Sequence, residues 1–92
     1  MKLEEALFNW LQIKVVAMAR PHDGAAEQTL QFLEQILQED FSISHFSVND
    51  SGDNMYLVQY ELDGTVHHKQ FRQELAGQLL ADINANPKYN EA

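Results

Sequence analysis

The sequence of 92 residues contains no cysteine, so it forms no disulfide and offers no thiolate for catalysis. It also has no apolar run near the ~20 residues that a transmembrane helix requires. Glu4 and Glu5 interrupt the start of the chain where the apolar stretch of a secretory signal would begin. We therefore expect a cytoplasmic protein that does not insert into membranes.

Basic residues are few: six, against 14 acidic residues, which gives a formal net charge of -8. Nucleic-acid-binding proteins draw affinity from clustered lysine and arginine side chains that displace phosphate counterions. Anionic lipid surfaces attract similar clusters. The basic residues of this chain are scattered, so we predict no binding to nucleic acid or to membranes. They are Lys2, Lys14, Arg20, Lys69, Arg72 and Lys88.

Helix-breaking residues are absent from the first part of the chain, where the spacing of apolar residues predicts a helix over Leu3–Ala19. The segment Leu11–Met18 is rich in β-branched residues, which leaves a strand as an alternative there. We favour the helix because no glycine, proline, asparagine or aspartate separates this segment from the helical pattern before it. The predicted buried face contains Leu3, Ala6, Leu7, Trp10, Leu11, Ala17 and Met18.

A second helix is predicted directly after Pro21, with Asp23 as its N-cap and Glu27 near the positive end of its dipole. Its apolar positions, Ala26, Leu30, Leu33 and Leu37, recur at helical spacing. Because the connection is short, the two helices should pack on each other as an antiparallel hairpin.

The hydrophobic period changes after Asp40 to the alternation of strands. The first predicted strand, Ser42–Asn49, loses its alternation near Ser44–His45, which suggests a bulge. The second, Met55–Leu62, follows a cluster of turn residues. Asp63–Gly64 is a strong hairpin signal and predicts a third strand returning from residue 65.

The final helix is predicted from about Phe71 to Ala85, with Phe71, Leu75, Leu79 and Ile83 on its buried face. The predicted fold is α+β, in the order ααβββα. It is a helical hairpin followed by a three-stranded antiparallel meander and a C-terminal helix, with the helices packed on one face of the sheet. We expect residues 1–92 to form one domain, with a frayed tail at about 87–92.

The adjacent histidines His67 and His68 raise the question of a metal site. Neighbouring strand residues point to opposite faces, and zinc requires three or four convergent ligands. We expect one of these histidines to pack beside a tyrosine and the other to face water, and we predict no metal and no cofactor.

Other catalytic or ligand-binding patterns are weak. Residues 49–54 lack the spacing of a calcium loop, and their composition is that of a hairpin turn. No serine lies in a strand–turn–helix elbow, and Ser44 and His45 should diverge on their strand. The isolated glycines form no phosphate-binding loop. We predict that the protein is not an enzyme.

These exclusions favour a small acidic module for protein–protein interaction, acting as a regulator, adaptor or subunit. The alternative is a small-molecule-binding domain with a pocket between sheet and helices lined by Trp10, Tyr56 and Tyr60. A less favoured alternative is an acidic mimic of nucleic acid, because its carboxylates form no long rows.

The first strand is the candidate interaction edge. The segment Ser42–Asn49 has no Lys, Arg, Asp, Glu or Pro, so nothing in it discourages pairing with another strand. Either a helix or a chain terminus covers this edge, or the edge accepts a partner's strand or a second copy as a homodimer. The candidate edge residues are Ser42, Ser44, Phe46 and Val48.

Overall fold

The computed structural model of the chain describes residues 2–86, so the predicted frayed tail at 87–92 lies outside the described residues. The order of elements confirms the predicted ααβββα α+β fold. The elements are α1 (Leu3–Ala19), α2 (Gly24–Phe41), β1 (Ile43–Gly52), β2 (Met55–Leu62), β3 (Thr65–Arg72), α3 (Gln73–Ala76) and α4 (Gln78–Ala85).

Helix α1 is continuous, so the strand alternative for Leu11–Met18 is wrong. Its predicted core residues Leu7, Trp10 and Leu11 are fully buried. The spacing of apolar residues predicts Met18 on the same buried face, but its side chain is 53% exposed. The buried residues in the last turns of α1 are instead Val15 and Val16.

Helix α2 begins as predicted, because the Asp23 carboxylate accepts a hydrogen bond from the Ala26 N–H at 3.1 Å. It ends at Phe41. The C-cap residue, Ser42, has a left-handed φ of 57° that turns the chain into β1, and its N–H donates to the Leu37 carbonyl. Helices α1 and α2 pack on each other. The Trp10 indole N–H donates to the Glu34 carboxylate at 3.0 Å, which satisfies the polar atom of a buried ring.

The three strands form an antiparallel sheet in the order β1-β2-β3. Both hairpins turn through two residues of positive φ, Asp53–Asn54 and Asp63–Gly64, the geometry of tight hairpins whose twist matches that of the strands. Strand β1 extends to Gly52 and β3 to Arg72, so both strands are longer than predicted.

The C-terminal helical segment differs from the prediction in two ways. Phe71 lies in β3, paired with Tyr56 and with its ring centroid 5.7 Å from that of Phe8, so its assignment to a helix is wrong. The helix begins at Gln73 and is interrupted at Gly77, which separates α3 from α4. In α3 the buried residue is Ala76, and Leu75 is 51% exposed rather than buried.

The core lies between α1 and the sheet, and α1 also packs against α2 and the C-terminal helices. Its largest fully buried side chains come from α1, α2 and the first two strands, so the core ties the helical hairpin to the sheet. They are Leu7, Trp10, Leu11, Val16, Leu37, Ile43 and Val58.

Candidate functional site

Strand β1 lies at one edge of the sheet, and among residues 2–86 its strand neighbour is β2 alone. Its register against β2 shifts between Ser44 and Ser47 and again between Asp50 and Gly52. The first shift confirms the predicted bulge, and His45 there has a φ of 54°. Between the two shifts, Ser47–Asp50 pairs residue by residue with β2. We call this stretch the pairing segment.

The four predicted edge residues occupy different positions in the structure. Ser42 caps α2 and precedes β1, and Ser44 lies at the bulge. Phe46 is half-buried and packs edge-on against Trp10, with ring centroids 5.5 Å apart. Val48 is half-buried and lies in the pairing segment, opposite Val58.

The pairing segment presents little charge along the edge. Ser47 and Asn49 are exposed and neutral, and Asp50 is its one ionisable residue. The Asp50 carboxylate accepts a hydrogen bond from the Gly52 N–H at 2.9 Å. That bond, together with the Gln73 side chain, lowers the pKa of Asp50, so the residue is ionised at neutral pH.

Near the bulge, the structure brings together a serine, a histidine and a carboxylate. Ser44 Oγ is 3.1 Å from His45 Nδ1, so the expectation that these two side chains diverge is wrong; the bulge turns the histidine toward its neighbour. The Glu61 carboxylate contacts the same Nδ1 atom. A catalytic triad needs serine and carboxylate on different ring nitrogens, so this group is not arranged as one.

The three residues predicted to line a pocket are divided between core and surface. Trp10 and Tyr60 are 1% and 5% exposed and lie within the core. Tyr56 is half-buried and lines an open cavity of about 580 Å³ at the end of the sheet. We call it the polar cavity; Asp53, Asn54, Met55, Arg72, Gln73 and Glu74 complete its lining.

A second cavity, of about 500 Å³, lies between the N-terminal half of α1, the end of β3 and α3. Phe8, Phe71 and Leu75 supply its apolar surface, and we call it the apolar cavity. Polar side chains of Lys2, Glu4, Glu5, Asn9 and Arg72 surround it. Arg72 lines both cavities. Sequence reasoning missed this site, because its apolar residues come from three separate elements.

The adjacent histidines His67 and His68 contact the residues that lie opposite them in the register between β2 and β3. His67 lies opposite Tyr60 and stacks on its ring, with centroids 5.5 Å apart. His68 is exposed, and its Nε2 is 3.1 Å from the Gln59 side-chain oxygen. The prediction that one histidine packs beside a tyrosine and the other faces water is confirmed. In residues 2–86 no three histidine, aspartate or glutamate side chains are grouped to hold a metal ion.

No helix between Lys2 and Asn86 is both long and apolar enough to cross a bilayer. Comparison of the chain with known protein families, curated proteins and solved structures found no match.

Proposed function

We propose that this protein is a non-enzymatic protein–protein interaction module that pairs through the β1 edge, with a second copy of itself as its partner. The observation that supports this proposal is the pairing segment, Ser47–Asp50, on an edge strand with no further strand beside it in the described chain. An open edge presents unpaired N–H and C=O groups that a further strand satisfies. Such a module acts in the cytoplasm as a regulator, adaptor or subunit.

Charge favours this surface over the helices for self-association. Each copy carries a net charge of -8. Helix α2 has four carboxylates and no basic residue, so two α2 helices would repel each other. The pairing segment carries one carboxylate, that of Asp50, so two copies meet there with less repulsion than two α2 helices would. Antiparallel pairing about a twofold axis is the simplest arrangement.

The bulges at both ends of the pairing segment limit its length to four residues. Bulges twist an edge away from a straight partner, and natural edges use them to restrict pairing. The interface is therefore small, and interfaces below about 1,200 Å² belong to weak or transient complexes. We expect a dimer that forms and dissociates with concentration.

The test is light scattering after size-exclusion chromatography, from about 10 µM to about 1 mM, which spans the affinities of weak complexes. We expect the molar mass of the native protein to rise with concentration. The double variant Ser47→Lys, Asn49→Lys should stay monomeric, because charged side chains discourage edge pairing.

A matched control separates edge pairing from a general effect of charge. Gln31→Lys with Gln38→Lys adds the same two charges to exposed positions of α2. This variant should associate as the native protein does, or slightly more strongly. A native monomer throughout the range, or equal loss of association in both double variants, would refute pairing through β1.

A further inference from the structure

We infer that the apolar and polar cavities together form a docking groove for a segment of a partner protein that carries an apolar anchor residue followed by lysine or arginine. This inference deepens the proposed function by naming a second partner class, and none of the residues that line the two cavities belongs to the pairing segment. Arg72 lines both cavities, so the two are neighbours, and their linings together reach from the N-terminal part of α1 to the β1–β2 turn.

The apolar cavity supplies the site for the anchor. It is open to solvent, and its volume of about 500 Å³ is within the range of small-molecule binding sites. The Phe8 and Phe71 rings are 5.7 Å apart, and Leu75 beside them is 51% exposed. Burying an exposed leucine against a partner's apolar side chain removes water from both surfaces, which favours binding.

The charges around the groove favour basic residues beside the anchor residue of the partner's segment. The two linings together carry four carboxylates, those of Glu4, Glu5, Asp53 and Glu74, against the basic side chains of Lys2 and Arg72. Lys69 contacts Glu4 at 3.7 Å from outside the lining, and the balance is still negative. In a chain of net charge -8, this rim attracts a basic segment and repels an acidic one.

The polar cavity suits a basic side chain in particular. The carboxylates of Asp53 and Glu74 lie on its wall beside Tyr56, whose aromatic ring favours contact with a cation. The Arg72 guanidinium bonds the Glu74 carboxylate at 3.1 Å, but both groups are more than 60% exposed. Exposed ion pairs contribute little, so a partner's lysine or arginine displaces this one at small cost.

The experiment uses the full chain and a fluorescein-labelled peptide of nine residues with one central phenylalanine, lysines on both sides and glycine elsewhere. Fluorescence anisotropy measures its binding, and NMR shifts of labelled protein locate it. We expect binding that shifts the signals of Phe8, Phe71 and Leu75. Replacing the peptide's lysines by glutamates, or its phenylalanine by alanine, should abolish that binding.

Two protein variants separate docking from general attraction between opposite charges. Leu75→Glu places a carboxylate in the apolar cavity and should weaken peptide binding at least about tenfold. Met18→Glu adds the same charge at a position of similar exposure, 53%, in the last turn of α1 and outside both linings, and should leave binding unchanged. Absence of binding by the native protein, or equal binding by the two variants, would overturn the inference.

The result is independent of self-association. Leu75→Glu should leave the concentration-dependent molar mass unchanged, and the variant Ser47→Lys, Asn49→Lys should bind the peptide normally. If the groove signals instead shift with the protein's own concentration in the absence of peptide, the occupant is a second copy and the inferred basic partner is wrong.

Discussion

The carboxylates of Asp23 and Asp50 are held by backbone N–H groups of Ala26 and Gly52, and these hydrogen bonds lower the pKa of each carboxyl. Since the folded chain binds protons there less readily than the unfolded chain, ionisation of these groups stabilises the fold above about pH 4. The stabilisation is lost as the pH falls through the lowered folded-state pKa values.

We therefore expect the thermal midpoint to fall between about pH 5 and about pH 3, and to fall less in the double variant Asp23→Asn, Asp50→Asn. Asparagine can still cap a helix or turn but does not titrate. Circular dichroism melts at the two pH values measure the difference. Equal losses in both proteins would mean that other carboxylates control acid unfolding.

Replacing the adjacent histidines one at a time tests whether they stabilise the hairpin by packing and not by binding a metal ion. His67→Gln removes a ring stacked on Tyr60 and should lower the thermal midpoint by a few degrees, whereas His68→Gln changes an exposed residue and should have a smaller effect. Neither zinc nor a chelator should alter the melting of the native protein. Destabilisation by the chelator would instead indicate a bound metal ion.

At the residue scale, the sequence predicted that a histidine of the β2–β3 hairpin contacts a tyrosine. It did not predict which residues lie opposite each other. The Asp63–Gly64 signal predicted a hairpin in which one of the two histidines packs beside a tyrosine, but it did not identify the pair. The structure has a two-residue turn with positive φ at both positions, which selects Tyr60 as the partner of His67. The contact between Ser44 and His45 could not be predicted, because it depends on the backbone conformation of the bulge.

At the scale of elements, substitutions on α2 should reduce the free energy of unfolding more where the replaced side chain is more deeply buried. Leu37 is 1% exposed, Leu33 is half-buried against the core and Gln31 is exposed. Leu37→Ala should reduce the free energy of unfolding by roughly 2–5 kcal/mol, Leu33→Ala by less, and Gln31→Ala by under about 0.5 kcal/mol. Denaturant titration of the three variants provides the ranking, and equal costs would contradict the assigned face.

The helices that begin with clear caps or end at proline could be placed from sequence, and the C-terminal segment could not. The residues around Phe71 fit a helical face by spacing, yet β3 continues through Arg72 because each residue there pairs with β2 and Phe71 packs on Phe8. These are long-range contacts, and they outweigh local preference.

At the scale of the whole molecule, composition excluded functions more readily than it located a site. The net charge and the absence of cysteine were available from the sequence. The groove could not be predicted from the sequence, because Phe8 lies far from Phe71 and Leu75 in the chain and the spacing of Phe71 and Leu75 predicted one buried helix face. The β1 edge was a candidate for pairing because Ser42–Asn49 lacks charged residues, and either a covered or an open edge was compatible with the sequence. The structure adds the two register shifts that bound Ser47–Asp50, and of the four candidate edge residues only Val48 lies between them.

Disulfide crosslinking tests pairing through β1 most directly. The natural chain has no cysteine, so each single-cysteine variant carries one thiol. The test variants are Ser47→Cys, Val48→Cys, Asn49→Cys and Asp50→Cys. The control is Gln35→Cys, at an exposed position of α2. Directly opposed residues in antiparallel strands have Cα atoms about 4.5–5.5 Å apart, within the range of a disulfide.

In a twofold antiparallel pair, the residue nearest the axis faces its own copy, so crosslinking should peak at one position and decline on either side. We expect mild oxidation followed by non-reducing electrophoresis to show a dimer that forms fastest within residues 47–50 and slowly for the α2 control. If no β1 position crosslinks faster than Gln35→Cys, the protein does not pair through this edge.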